Sequence, residues 1–139
     1  VSAWSCQHQL VLRQVAVENK TNEIAAIPEL LTMLDIENTI ITLDAMGCQS
    51  EIAQQIIKQK TDYILALKGN NSGMQAELEA WWHKMVREGL LDEVFSQHSD
   101  VSSEHGRIET SACQQLVIDK TWLDKKYQWE GLKSIIRCY

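Results

Sequence analysis

An α/β fold with a β-rich second part is what this sequence predicts, and three observations carry the prediction. Short apolar runs, "NTIITL" (38–43) and "DYILAL" (62–67), alternate with segments of helical spacing. The polar turn "GNNSG" (69–73) and Gly89 punctuate that first part. From about residue 93 the pattern changes to strand-like runs separated by polar stretches. The chain therefore reads as an alternating α/β first part and a β-rich second part.

The elements follow in order. Residues 1–18 read as a hairpin, "VSAWS" turning through Cys6–Gln9 into "LVLRQVAVE". In the second strand Val11, Arg13, Val15 and Val17 share one face, and Leu12, Gln14 and Ala16 the other. Residues 22–35 are helical, with Ile24, Ile27, Leu30, Leu31 and Leu34 on one face. Pro28 either sits in the first turn of a shorter helix or kinks a longer one. Residues 39–43 form a strand ending at Asp44. Residues 50–60 form a helix capped by Ser50, with Ile52, Ala53, Ile56 and Ile57 inward. Residues 62–68 form a second buried-type strand, and a helix runs from about Ser72 to Arg87. "EVFSQHS", "DVSSEHGR" and "IETSACQQLVI" read as three short strands. A short helix around "TWLDKKY" and a last strand, "GLKSIIRCY", complete the chain.

The composition narrows the function classes. With 139 residues, 45% of them hydrophobic, the chain buries a real core and is not of the disordered class. No apolar run approaches the roughly 20 residues of a membrane span, and no signal-peptide pattern is present. The first residue is Val1, which suggests a piece of something longer. A formal charge of −6 gives no global field that attracts nucleic acid, so any DNA contact rests on a local patch or on chain beyond these residues. Cys6, Cys48, Cys113 and Cys138 are widely spaced and form no C-x-x-C pair. Free thiols in a reducing cytoplasm are the expectation. Cys6 and His8 supply only two ligands, short of a zinc site.

Chemistry concentrates at two strand ends. If the strands ending near Asp44 and Lys68 are parallel neighbours, both residues lie on the rim where open α/β sheets bind ligands. A carboxylate there suits a hard cation such as Mg²⁺. Its plain alternative is a turn or helix-cap acid, and the spacing does not separate the two. Glu109 reads better as a surface strand glutamate paired with arginine, and His105 as an exposed histidine. Trp81 and Trp82 point about 100° apart on a helix, so one is expected in the core and the other at a surface or interface. The lysines and Arg137 are scattered among acids and read as solvated surface.

Several ordered motifs together resemble the insertion-sequence transposases of the H-repeat-associated type. They are "VSAWS" (1–5), "LVLRQVAVENKTNEIAAIPELL" (10–31), "TLDAMGCQ" (42–49), "DYILALKGN" (62–70), "HGRIET" (105–110) and "WEGLKSI" (129–135). The resemblance implies a partial ribonuclease-H-like mixed sheet with flanking helices over residues 1–90. A β-rich insertion segment of the same domain would then fill 91–139. It implies that Asp44 is the second aspartate of an Asp-Asp-Glu site and a ligand of Mg²⁺ or Mn²⁺. The first aspartate and the glutamate would lie beyond Val1 and Tyr139, so Glu109 is not promoted to that role. Lys68, Asn70 and Arg107 would contact DNA. The parent would cut and join DNA by two-metal phosphoryl transfer, with the isolated chain inactive.

The central strand of such a sheet would also lie upstream of Val1. The hairpin is then expected to close directly onto strand 39–43, to pair with another copy through an unpaired edge, or to pack loosely. Two other readings remain. One is a receiver-like phosphoacceptor module, from "LDAMG" and Lys68, although only Glu18 is available for its acidic pair and one βα step stands where two are needed. The other is a remnant without chemistry.

Overall fold

The computed structural model describes residues 1–18, 23–90, 95–104 and 107–139, with the backbone alone at 95, 102–104 and 107–109. The chain divides into two units, each taken here by itself: Val1–Gln75 with Trp129–Gly131, and Ala76–Gln128 with Leu132–Tyr139.

In the first unit a hairpin pairs β1 (Ser2–Ser5) with β2 (Leu10–Gln14), with a register shift between Ala3 and Trp4. It forms its own two-stranded sheet, separate from the other sheet of the unit. Direct closure of the hairpin onto strand 39–43 is therefore corrected: no ladder joins them. Val1 instead packs against the apolar cluster of the unit. The regular part of β2 is shorter than its alternation suggests, and all five of its residues are exposed.

Helix α1 (Glu23–Thr32) buries Ala26, Ile27, Leu30 and Leu31, while Ile24 is left exposed. Pro28 lies inside the helix. Helix α2 (Ser50–Lys58) buries Ile52, Ala53 and Ile56. Its N-cap is Gln49, which makes no side-chain capping bond, so the Ser50 cap is corrected by one residue. Two glutamines of the α2 segment reach across to α1. Gln55 Nε2 donates to the Pro28 carbonyl at 2.9 Å, and Gln59 Nε2 to the Leu31 carbonyl at 3.2 Å. These bonds cross-link the two helices around the cluster of Ile27, Leu31, Ile36, Ile52 and Ile56.

Strands β3 (Ile40–Leu43) and β4 (Asp62–Leu65) pair in parallel, Ile40 opposite Asp62 and Leu43 opposite Leu65. Period-2 alternation turns Ile41, Leu43 and Tyr63 to the cluster and leaves Ile40 and Ile64 exposed. The intervening helix makes this a βαβ unit, the connection that parallel strands require.

The second unit takes its helix from α3 (Ser72–Arg87), where Leu78, Trp81, Trp82 and Met85 are buried at i, i+3, i+4 and i+7. Both tryptophans are buried, against the expectation of one in the core and the other at a surface or interface. The Trp122 ring meets Trp81 edge to face at 6.1 Å, and the Arg137 guanidinium lies 5.9 Å over the Trp82 ring. Two long strands, β5 (Phe95–Glu104) and β6 (Arg107–Val117), replace the three short ones read from the sequence. "DVSSEHGR" is divided between them, because their antiparallel register pairs Phe95 with Leu116 and Glu104 with Arg107. Strand β7 (Ser134–Cys138) adds to β6. The helix expected at "TWLDKKY" is two short 3₁₀ turns, each capped by an aspartate, Asp119 or Asp124, that accepts a backbone N–H two residues on.

The β6–β7 register also corrects the expectation of free thiols throughout. Ala112 and Tyr139 exchange both backbone hydrogen bonds, so the next pair, Cys113 and Cys138, is a non-hydrogen-bonded one. Its Cα atoms are 4.3 Å apart, and the two cysteines form a disulfide. Cys6 and Cys48 are free. Among the described residues no helix is long and apolar enough to cross a membrane.

Four outcomes are expected. Ile56→Ala, at a site with no exposed surface, lowers unfolding stability by about 2–5 kcal/mol in chemical denaturation. Ile40→Ala, 63% exposed, changes it by less than about 0.5 kcal/mol. Peptide mapping without reductant recovers Cys113 and Cys138 in one linked species, and Cys113→Ser costs about 3 kcal/mol of stability. Alkylation of all four cysteines in the unreduced chain would refute the pairing.

Candidate active site

The β3–β4 ladder ends with a hydrogen bond from Ala66 N–H to the Leu43 carbonyl at 3.0 Å. Asp44 is the next residue and is exposed, its backbone extended at φ −71° and ψ −176°. A single 3₁₀ turn, Ala45–Gly47, follows. Asp44 serves that turn twice: its carbonyl accepts from Gly47 N–H at 3.0 Å, and its Oδ1 accepts from Met46 N–H at 3.2 Å. One carboxylate oxygen is thus turned into its own loop. The functional and turn-cap readings of Asp44 are compatible at this geometry, because the second oxygen has no part in that cap.

Gly47 is needed for space. A Cβ at this position would lie 2.8 Å from Leu43 Cβ and 3.0 Å from Leu43 Cδ1. The loop can fold back over the end of β3 only with hydrogen at that position. Cys48, the next residue, is buried, and burial pushes its thiol pKa up.

On the neighbouring strand the chain leaves β4 at Leu65 and reaches Lys68 three residues later. Lys68 and Asn70 are both exposed, and Asn70 lies in the 3₁₀ turn Gly69–Asn71. The Asn70 amide joins the two loops. Its Nδ2 donates to the Ala45 carbonyl, and its Oδ1 accepts from Lys68 N–H at 3.2 Å. The sequence reading named Asn70 only as a DNA contact implied by the resemblance and missed this bracket, for which an asparagine in a polar turn after a strand was the available signal.

Asp44, Lys68 and Asn70 therefore share one rim of the first unit. Arg107 and Glu109 belong to β6 of the second unit, with Glu109 opposite Ser102 and Arg107 opposite Glu104 in register. His105 lies outside the described residues. Among the described residues, no three of His, Cys, Asp and Glu gather where they could hold a metal ion. Asp44 by itself does not fit a catalytic divalent ion, which takes several oxygen ligands.

Residues 1–125 match the family described as the transposase DDE domain. The chain belongs to this family. Three curated proteins of Escherichia coli K12 show how far the likeness extends. The "H repeat-associated putative transposase YhhI" is 38% identical over 97% of this chain and 35% of its own length. The "H repeat-associated putative transposase YbfD" is 44% identical over 79% of this chain and 42% of its own. "Putative protein YbfL" is 39% identical over 97% of this chain and 35% of its own. The chain spans about a third to two fifths of the length of these relatives. No solved structure matches it. The family generally uses divalent metal ions.

Membership in the DDE family leaves the receiver-like reading without support, and the strand order gives a physical reason. β3 and β4 are directly adjacent, with one helix between them, so Asp44 and Lys68 are separated by a single βα step.

Beneath the rim, Tyr63 on β4 faces inward, and its hydroxyl donates to the Glu130 carbonyl at 2.8 Å. Its pKa is pushed up to about 12, first by burial and then by the charges of Cys48 and Glu130. The neutral phenol is the folded-state form. Its stabilising contribution is full below the unfolded value near 10 and is lost as pH rises through about 12. Ultraviolet titration is expected to show one of the three tyrosines ionising late. Tyr63→Phe should remove that late step and flatten the loss of stability above pH 10.

Proposed function

We propose that Asp44 is one of the metal-binding acids of a DNA-cutting and DNA-joining active site. The observation that carries the proposal is the position of Asp44 at the carboxyl end of β3. There a parallel neighbour and a bracketed loop hold it on a ligand-binding rim, in a chain of the DDE family.

The reaction class is phosphoryl transfer on DNA strands. A bound Mg²⁺ or Mn²⁺ would supply Lewis-acid stabilisation of the phosphate and activation of the attacking oxygen. The described residues do not hold such an ion by themselves. What this chain contributes is a carboxylate on a short loop, with Oδ1 tied to Met46 N–H. Lys68, exposed on the same rim, is a candidate phosphate contact, as is Arg107 on β6. Both are local charges in a chain of net −6, so DNA binding is expected to weaken steeply with salt. Residues 1–90 would contribute the core of the catalytic domain and residues 91–139 its β-rich insertion.

A strand-nicking assay with Mg²⁺ or Mn²⁺ tests the assignment. The isolated chain is expected to give no turnover. A chimera in which these residues replace the matching part of a longer relative should nick DNA. In that chimera Asp44→Ala lowers the rate by more than about 100-fold, since even the residues that orient metal ligands are worth about 10–100-fold. A chimera that nicks equally well without the Asp44 carboxylate would sink the proposal.

A further inference from the structure

We infer that Asn70 is a positioning residue for Asp44: its side-chain amide pins the loop after β3 to the loop after β4. The inference rests on the reading of Asp44 as a metal-binding acid. Asp44 lies just past the last ladder bond, and beyond that bond the strands part. The loop carrying it is a single 3₁₀ turn whose backbone hydrogen bonds are local, Gly47 N–H to Asp44 and Cys48 N–H to Ala45. Asn70 supplies a tie across the gap. The Ala45 carbonyl accepts from both Cys48 N–H and Asn70 Nδ2, which uses both of its lone-pair directions.

The chemistry selects asparagine. The position must donate to one loop and accept from the other at once. Aspartate offers no donor, a hydroxyl is too short to span both, and glutamine carries the same groups one methylene further out. The amide orientation is set by its partners, because the flipped form would set Nδ2 against the Lys68 N–H, donor against donor. Ala45 directly follows Asp44, and the Asp44 carboxylate is tied to Met46 N–H. Fixing the 45–46 peptide therefore fixes the direction of the acid.

Nuclear magnetic resonance on the ¹⁵N-labelled 139-residue chain tests this. Mn²⁺ is titrated separately in the nicking assay of the chimera, which supplies the remaining metal ligands. There Asn70→Ala is expected to raise the Mn²⁺ midpoint about 10-fold. It should also drop the order parameters of residues 45–47 from about 0.85 towards 0.6, with the melting temperature nearly unchanged. Asn70→Gln should recover part of both effects. An unchanged midpoint and unchanged order parameters in Asn70→Ala would overturn the inference. A wild-type chimera whose nicking needs no divalent ion would instead count against the metal reading of Asp44, and the order parameters alone would then decide the pin. Should Asn70→Ala unfold, hydrogen exchange of the wild-type Asn70 side-chain amide decides. Slowed exchange supports the pin, and exchange at the rate of a free amide overturns it.

Discussion

The parallel ladder between β3 and β4 sets Leu43 opposite Leu65, and its last hydrogen bond fixes where the two strands part. Whatever happens at the rim depends on that register. A slip of one residue would turn Ile41 and Leu43 outward and bring Ile40 and Thr42 against the helices. The register is held from below by burial of Ile52 and Ile56 on α2, and α2 is held in turn to α1 by the two glutamine bonds to carbonyls. Apolar packing, rather than any feature of the loop, therefore sets the height at which Asp44 emerges.

The rim itself is assembled from small, directional contacts. Gly47 lets the loop fold over Leu43, Asp44 caps its own turn, and Asn70 crosses to the neighbouring loop. Each is a single hydrogen bond or a single missing methyl group, worth about a kilocalorie per mole or so in stability. Their value lies in orientation. A carboxylate that is to meet a phosphate-bound ion must be aimed before the ion arrives, and a three-residue turn cannot aim it unaided.

The second unit follows a different logic. Its antiparallel β6–β7 pair carries a disulfide at a register position that favours close side chains, and its helix buries two adjacent tryptophans. Adjacent helix positions diverge, so burying both requires cover from two directions. Trp122 supplies one and Arg137 the other. The chain reaches these arrangements through contacts between residues far apart in sequence. Local geometry therefore suggested one ring outside the core, and wide cysteine spacing suggested free thiols.

Much of the architecture was legible in order and type. The apolar runs at 40–43 and 62–65, the helical spacing of α2 and α3, and the change to strands after residue 93 are consequences of period, which sequence displays directly. So was the placement of Asp44 at the end of a strand, whereas Lys68 lies three residues past the end of β4 rather than on it; the ordered motifs point to the DDE family. Tertiary structure alone decided that the strands are adjacent and parallel, and that the hairpin stands as a separate sheet. It alone decided that Cys113 faces Cys138 and that Asn70 spends its amide on the loop beside Asp44. The physical reason is the same in each case. Periodicity states which face of an element is apolar, whereas register, disulfide pairing and a side-chain bridge depend on where a second element comes to rest.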